Sequence, residues 1–191
     1  MFHFFFSIDK FLFLLFNKNL SNPIFDFIFP IITKPENWLI PAMLGLVVFI
    51  YFKKKKAILI VLLGIITLAL TDAISYRLLK PLFGRLRPCN PESLVEGGNF
   101  LMGFKKSFSF PSNHSANMFG LATIFFCFYK NKAIYFFGFA SIIAFSRIYV
   151  GVHYPFDVLG GAVLGFAIGI FVYRSYCITN FYIHKNKSTK K

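Results

Sequence analysis

Charge is scarce in this sequence. Only 15% of its 191 residues are Asp, Glu, Lys or Arg, against about 25% in soluble domains. Cysteine is scarce too. The 3 present, Cys89, Cys127 and Cys177, show no C-x-x-C or Cys/His metal spacing, which argues against a disulfide framework and a zinc motif. They read as small packing residues or free thiols, with Cys89, in a polar loop, the most open to chemistry. The carboxylates form no cluster suited to Mg²⁺, so neither a metal nor a cofactor is expected. Asp9 and Lys10 interrupt the first apolar stretch, and neither a basic start nor a small-residue cleavage site accompanies it. The N-terminus is therefore not expected to be a cleaved signal.

What the sequence has in abundance is apolar length. Hydrophobic residues make up 57% of it, and 29 residues are Phe. Residues 38–52, 57–79, 114–129, 133–145 and 155–173 are nearly free of charge. A helix crossing a bilayer needs roughly 20 mostly apolar residues, with a range of about 17–25. Several runs reach that length with their polar ends, and a soluble core of this size could not hide them all. The expectation is an all-α, polytopic membrane helix bundle. It has about five transmembrane helices, at 37–52, 57–79, 113–130, 133–149 and 155–176, and N-terminal interfacial helices in 1–36. Six spans result if 1–36 crosses as well. Residues 37–180 then form the transmembrane bundle, with an outward loop at 80–112, and 181–191 form a basic tail.

The net charge of +14 raises the question of nucleic acid. The basic residues sit in short connections between apolar runs, where they orient membrane helices, so no nucleic-acid partner is expected. The Lys53–Lys56 run, Lys130/Lys132 and the Lys-rich tail fall on one face of a five-span bundle, which is therefore cytoplasmic. Lys80, Arg85, Arg87, Lys105, Lys106 and Arg147 fall on the opposite face. Orientation signals are depleted there, so these cations need another reason. An anionic ligand is the simplest for Lys80, Arg87 and Arg147. Arg85, Lys105 and Lys106 read equally well as a solvated rim.

Two further groups stand beside these cations. Pro111-Ser112-Asn113-His114 opens the third crossing. Ser112 is placed to cap that helix, whose free backbone N–H groups would hold a phosphate with His114 beside it. Ser146-Arg147 precedes His153 and Asp157, which are four residues apart. One helical turn brings those two together, and an Asp accepting from one ring nitrogen frees the other to attack. Cations, two histidines and a carboxylate suit holding a phosphate, attacking it and protonating what leaves.

The spacing Lys80-x6-Arg87-Pro88, then Pro111-Ser112-Asn113-His114, then Ser146-Arg147-x5-His153-x3-Asp157 resembles the three-part signature of the type 2 phosphatidic acid phosphatase (PAP2) family. The match covers about 80–157. The resemblance implies a metal-independent lipid phosphatase with His153 as nucleophile and Asp157 orienting it. His114 becomes the acid, then the base. Lys80, Arg87, Ser112, Asn113 and Arg147 bind the phosphate. The family usually has Gly where Asn113 stands. Its amide could bond a second phosphate or a sugar, or cap the helix.

A site at the outward membrane surface suits a membrane lipid phosphate. The resemblance extends to bacterial enzymes acting on lipid A 1-phosphate, phosphatidylglycerophosphate and undecaprenyl pyrophosphate. The first two are favoured here, in the bacterial inner membrane with the site facing the periplasm. The motifs leave the oligomeric state open. An anion or head-group transporter is the rival from another class. Transporters place polar sites near mid-membrane and often show repeats, whereas here the polar residues sit at helix ends without a repeat. A silent lipid-binding protein is the other rival, and it has no need of His114, His153 and Asp157 together.

Overall fold

The computed structural model describes residues 2–188, and its regular elements are all helical. Helix α1 (Phe2–Leu14) runs into a π-helical turn, Leu15–Asn19. Helix α2 (Pro23–Thr33) begins where local chemistry dictates. Asn22 is extended and its side chain accepts from the Phe25 N–H at 3.0 Å, with Pro23 in the first turn. At 13 and 11 residues, α1 and α2 fall well short of the roughly 20 that a crossing needs.

The first two expected crossings appear as one element, α3 (Leu39–Asp72), broken at Lys54, where φ is 45° and ψ −123°. Ala42, Leu46 and Phe49 before the break line one cavity with Ile60, Gly64 and Leu68 after it. The chain therefore doubles back at the lysine run, which is too polar to stay in hydrocarbon. A π-helical turn, Ala73–Leu79, leads to the short α4 (Lys80–Phe83). Gly84, at φ 55°, caps α4 in the left-handed region, and its N–H bonds Lys80 O. A long loop follows, to Ser112. Then come α5 (Asn113–Phe128), α6 (Ala133–Tyr149) and α7 (Pro155–Ser188). The helix α7 runs past residue 176, the expected end of the last crossing, and continues through residues 181–188 of the expected basic tail. Lys190 and Lys191 lie outside the described residues.

Among the described residues, three stretches are long and apolar enough to cross a membrane, Pro35–Phe83, Lys130–Tyr149 and Pro155–Asn186. The first holds 49 residues, enough for two crossings at roughly 20 each. Many large side chains along these helices, Ile40, Val47, Ile134 and Val163 among them, are exposed, as a lipid-facing surface requires.

The packing that matters most for the site joins α5 to α7. Gly161, Gly165 and Gly169 recur every four residues and so share one face of α7. A Cβ at Gly165 would stand 2.0 Å from the Ala116 carbonyl oxygen, and one at Gly161 2.4 Å from that of Ser112. Small residues allow such close approach, which is how helices associate in lipid. Two bonds lock the register: Ser112 N–H donates to Asp157 O at 2.9 Å, and Ser115 Oγ to Val158 O at 2.6 Å. The start of α5 is thereby held against the start of α7.

The N-terminal segment closes over this junction. Phe13 is buried with Tyr154 and Val158. The buried Asn17 amide donates to Asn99 O at 2.6 Å and Tyr149 O at 2.7 Å, and its carbonyl accepts from Asn99 N–H at 2.6 Å. The Tyr149 hydroxyl bonds Asp26 of α2 at 2.5 Å. One expectation is corrected: Cys89 is fully buried, packed with Tyr149, Val150 and Val152, whereas Cys177 is exposed. The polar loop around Cys89 folds inward onto the α6–α7 turn.

Candidate active site

Four segments converge here: α4 with the loop after it, the first turn of α5, the end of α6, and the turn into α7. The loop is ordered by its own backbone. Val95 N–H bonds Pro88 O at 3.0 Å, and Ser109 N–H bonds Arg85 O at 2.7 Å. Lys80, Arg87 and Arg147 are all buried. Lys80 Nζ donates to Phe108 O at 2.8 Å. Arg87 donates from Nε to Ser107 O at 3.0 Å and from Nη1 to Val152 O at 2.9 Å. Arg147 Nη1 donates to Thr33 Oγ1 at 2.5 Å. Buried like charges repel, and each cation here is steadied by neutral oxygens instead of an acid, which suits an arriving anion.

His153 is buried among them. Arg87 Nη1 lies 3.0 Å from His153 Nε2. A guanidinium can only donate, so Nε2 carries the lone pair and Nδ1 the hydrogen. Nδ1 faces Asp157 Oδ2 at 3.5 Å and Ser109 Oγ at 3.4 Å. Burial holds the imidazole pKa well below its ordinary 6.5, and the fields of Arg87, Arg147, Lys80 and His114 add to the effect. The ring is neutral at physiological pH, with the Nε2 lone pair facing the cations.

Asp157 has no exposed surface. Its Oδ1 accepts from Arg85 Nη1 at 2.9 Å. Its Oδ2 accepts from the Tyr154 N–H at 2.8 Å and from Ser109 Oγ. So Asp157 is pinned from three sides while Oδ2 faces the imidazole.

The first turn of α5 brings Ser112 and His114 to the same place. Ser112 occupies the cap position, but its hydroxyl makes no capping bond. Ser112 Oγ, His114 Nε2 and Arg147 Nε are buried without a protein partner. Three buried polar atoms left over in this pocket fit an anion and its leaving group. Asn113 differs from the expectation. Its Oδ1 accepts from Ser75 Oγ at 2.5 Å and its amide donates to Asp72 at 3.2 Å. The side chain is committed to the α3 side, which leaves the backbone N–H for an anion. Lys105 and Lys106 are exposed, in keeping with a rim. His114 also lines a cavity of about 430 Å³ with Ile32, Trp38, Met118, Leu121 and Phe139. The site thus opens onto an apolar space between α2, α3, α5 and α6.

Residues 57–179 match the description "PAP2 superfamily". The chain belongs to that superfamily. Like its relatives, this PAP2 chain is a phosphatase, a phosphoric monoester hydrolase. It is 32% identical over 172 residues to the lipid A 4'-phosphatase of Bacteroides thetaiotaomicron, covering 86% of this chain and 75% of that one. Its fold is similar to the crystal structure of Aquifex aeolicus LpxE, at TM-score 0.65 and 30% identity, covering 85% of this chain and 93% of that one. It is also similar to a PAP2-type phosphatidylglycerolphosphate phosphatase from Bacillus subtilis, at TM-score 0.63 and 25% identity, covering 87% and 83%.

Four residues of this PAP2 site escaped the sequence reading. Arg85, which read equally well as an anion-binding cation or a solvated rim, bonds Asp157 and Asp9. Asp9 gave a signal in hindsight, as a lone acid in an apolar stretch demands a partner. Ser109 and Thr33 gave none, since nothing local distinguishes them from other hydroxyl residues.

Proposed function

We propose that this chain removes a phosphate monoester from a membrane lipid through a phosphohistidine on His153. The observation that carries this reading is the 3.0 Å contact between Arg87 Nη1 and His153 Nε2, which fixes the lone pair where phosphate-binding cations converge. The phosphate sits among Lys80, Arg87, Arg147, Ser112 and the N–H groups opening α5. These groups neutralise its equatorial oxygens without a metal. His153 Nε2 attacks phosphorus, and the ester P–O bond breaks. The electron pair goes to the leaving oxygen, which takes a proton from His114. The dianion itself favours the protonated form of His114. Water then gives a proton to His114 and attacks phosphorus. The N–P bond breaks, its pair returns to Nε2, and phosphate leaves.

The lipid tail takes the apolar cavity that begins at His114. Lipid A is the favoured substrate, at its 1- or 4'-phosphate, because the Bacteroides relative is a lipid A 4'-phosphatase. Phosphatidylglycerophosphate is the second reading, on the likeness to the Bacillus subtilis enzyme. The lysine runs at Lys53–Lys56 and Lys130–Lys132 mark the opposite, cytoplasmic end, so the site faces the periplasm of the inner membrane.

The test is a panel of lipid A, phosphatidylglycerophosphate, phosphatidate and undecaprenyl pyrophosphate at equal surface concentration in chelator. Release of phosphate from lipid A, with the position read by mass spectrometry, is expected. His153→Ala is expected to abolish it. Turnover that requires added Mg²⁺, or that survives His153→Ala, would refute the mechanism.

A further inference from the structure

Arg85 is clamped between two carboxylates. Its Nη2 lies 2.5 Å from Asp9 Oδ2, and its Nη1 lies 2.9 Å from Asp157 Oδ1. Neither carboxylate has any exposed surface. The other oxygen of Asp9 accepts the Phe156 N–H at 2.9 Å. The guanidinium lies over the Tyr154 ring, 4.3 Å from its centre. Asp9 belongs to α1, outside the 57–179 segment that matches the superfamily.

We propose that Asp9 is a positioning residue for the nucleophile. By sharing the Arg85 cation, it leaves Asp157 with net negative charge towards His153. This inference rests on the phosphohistidine reading above. The charge count makes the case. Arg85 is permanently cationic. With Asp157 alone it forms a neutral pair, whose field at His153 Nδ1 largely cancels. Burial raises the Asp9 pKa, and the Phe156 N–H and the Arg85 cation oppose that shift; ionised, Asp9 adds a second negative charge, so the Asp9–Arg85–Asp157 chain carries −1. That charge matters during attack. Nε2 spends its lone pair on phosphorus while Nδ1 keeps its hydrogen, so the ring becomes cationic. Three other cations already surround it. A net anion behind Nδ1 opposes that cost, and the low dielectric of a buried site magnifies the effect.

Geometry adds a second role. Arg85 takes Oδ1 of Asp157, which leaves Oδ2 for Ser109, Tyr154 N–H and the imidazole. Asp9 fixes the other end of the guanidinium, and through Phe156 it fixes the first turn of α7. The N-terminal helix thereby reaches the reacting nitrogen through a single side chain, without touching substrate.

The experiment uses the full chain in detergent with dioctanoyl phosphatidate as the probe. Asp9→Asn is expected to lower kcat by about tenfold to a hundredfold, the loss of one bond to a charged group. KM and competitive inhibition by inorganic phosphate should stay within about twofold, because the anion pocket is intact. Asp9→Asn combined with Asp157→Asn should be little slower than Asp157→Asn alone, since the charge of Asp9 reaches His153 through Asp157. Arg85→Lys, which keeps the charge but cannot span both carboxylates, should reproduce the kcat loss; it also stands in if Asp9→Asn does not fold. Unchanged kcat in both variants, or losses that multiply in the double variant, would overturn the proposal. His153→Ala is run alongside. If it retains turnover, the phosphohistidine reading fails. If it is inactive while Asp9→Asn and Arg85→Lys turn over normally, only the Asp9 proposal fails.

Discussion

Arg87 donates from Nη1 to Nε2 of His153 across 3.0 Å of buried space. The same nitrogen of Arg87 bonds Val152 O at 2.9 Å. The cation therefore sets the tautomer of His153, and in the proposed mechanism it stands where phosphate oxygens arrive. Arg87→Lys keeps the charge but loses the fork. Steady-state kinetics on a lipid phosphate are expected to show a kcat about 10²-fold lower. A kcat within threefold of the parent would mean that charge alone suffices.

Ser109 is the next residue to test. Its hydroxyl donates to Asp157 Oδ2 and lies 3.4 Å from His153 Nδ1. Ser109→Ala removes one bond to a carboxylate, about 1.5–3 kcal/mol. If that bond holds Asp157 in place for the reaction, kcat falls about tenfold to a hundredfold. KM for the lipid phosphate should barely move. A change confined to KM would assign Ser109 to substrate binding.

The depressed pKa of His153 has a stability consequence. Unfolded, the imidazole titrates near 6.5; folded, burial and the neighbouring cations hold it well below that. Between those two values the unfolded chain binds more protons, so stability rises with pH there. Its contribution is fully present above about pH 6.5 and is lost progressively as the pH falls towards the folded value. Melting temperature followed from pH 7.5 to 4.5 should therefore fall more steeply for the parent than for His153→Gln. Parallel curves would show that His153 is not the group responsible.

Cys89 is fully buried, and burial raises its thiol pKa. Both effects suppress thiolate reactivity. In a Cys127→Ser/Cys177→Ser background, a maleimide should leave Cys89 unmodified until the protein is denatured, as intact mass would show. Rapid modification of the native protein would mean that the loop opens onto the site.

The α5–α7 contact has a sensitive point at Gly165. A methyl there meets the Ala116 carbonyl oxygen at 2.0 Å, a backbone atom that cannot swing aside. Gly165→Ala should destabilise the bundle by about 1–3 kcal/mol through overpacking, seen as a lower melting temperature in detergent. Gly138→Ala, where nothing lies within 4 Å, is the control expected to melt like the parent.

The parts of this protein that were readable in advance are those written in local spacing. His153 and Asp157 are four residues apart, and a helix start brings them together. Lys53–Lys56 interrupts an apolar run, and the chain turns at Lys54. The unread parts depend on partners far along the chain. Arg85 bonds Asp9 at a separation of 76 residues and Asp157 at 72, so no window of sequence contains the clamp. Cys89 sits among polar neighbours, but Tyr149, Val150 and Val152 cover it. The Asn113 amide was free to serve the anion until Ser75 and Asp72, on the preceding helix, claimed it. Ser112 lies at the expected helix start, yet its hydroxyl is left unbonded and its N–H goes to Asp157 O.

The bonds of Asn17 set an order of assembly. Its amide joins residues 82 and 132 positions further along, Asn99 and Tyr149. A ribosome makes Asn17 early, yet Asn99 follows α3 and Tyr149 ends α6, so the second partner appears only after most of the bundle has been made. The first part synthesised must therefore wait at the membrane surface and dock among the last. Until it does, Asp9 is away from Arg85, and Arg85 holds Asp157 without the tie that α1 provides.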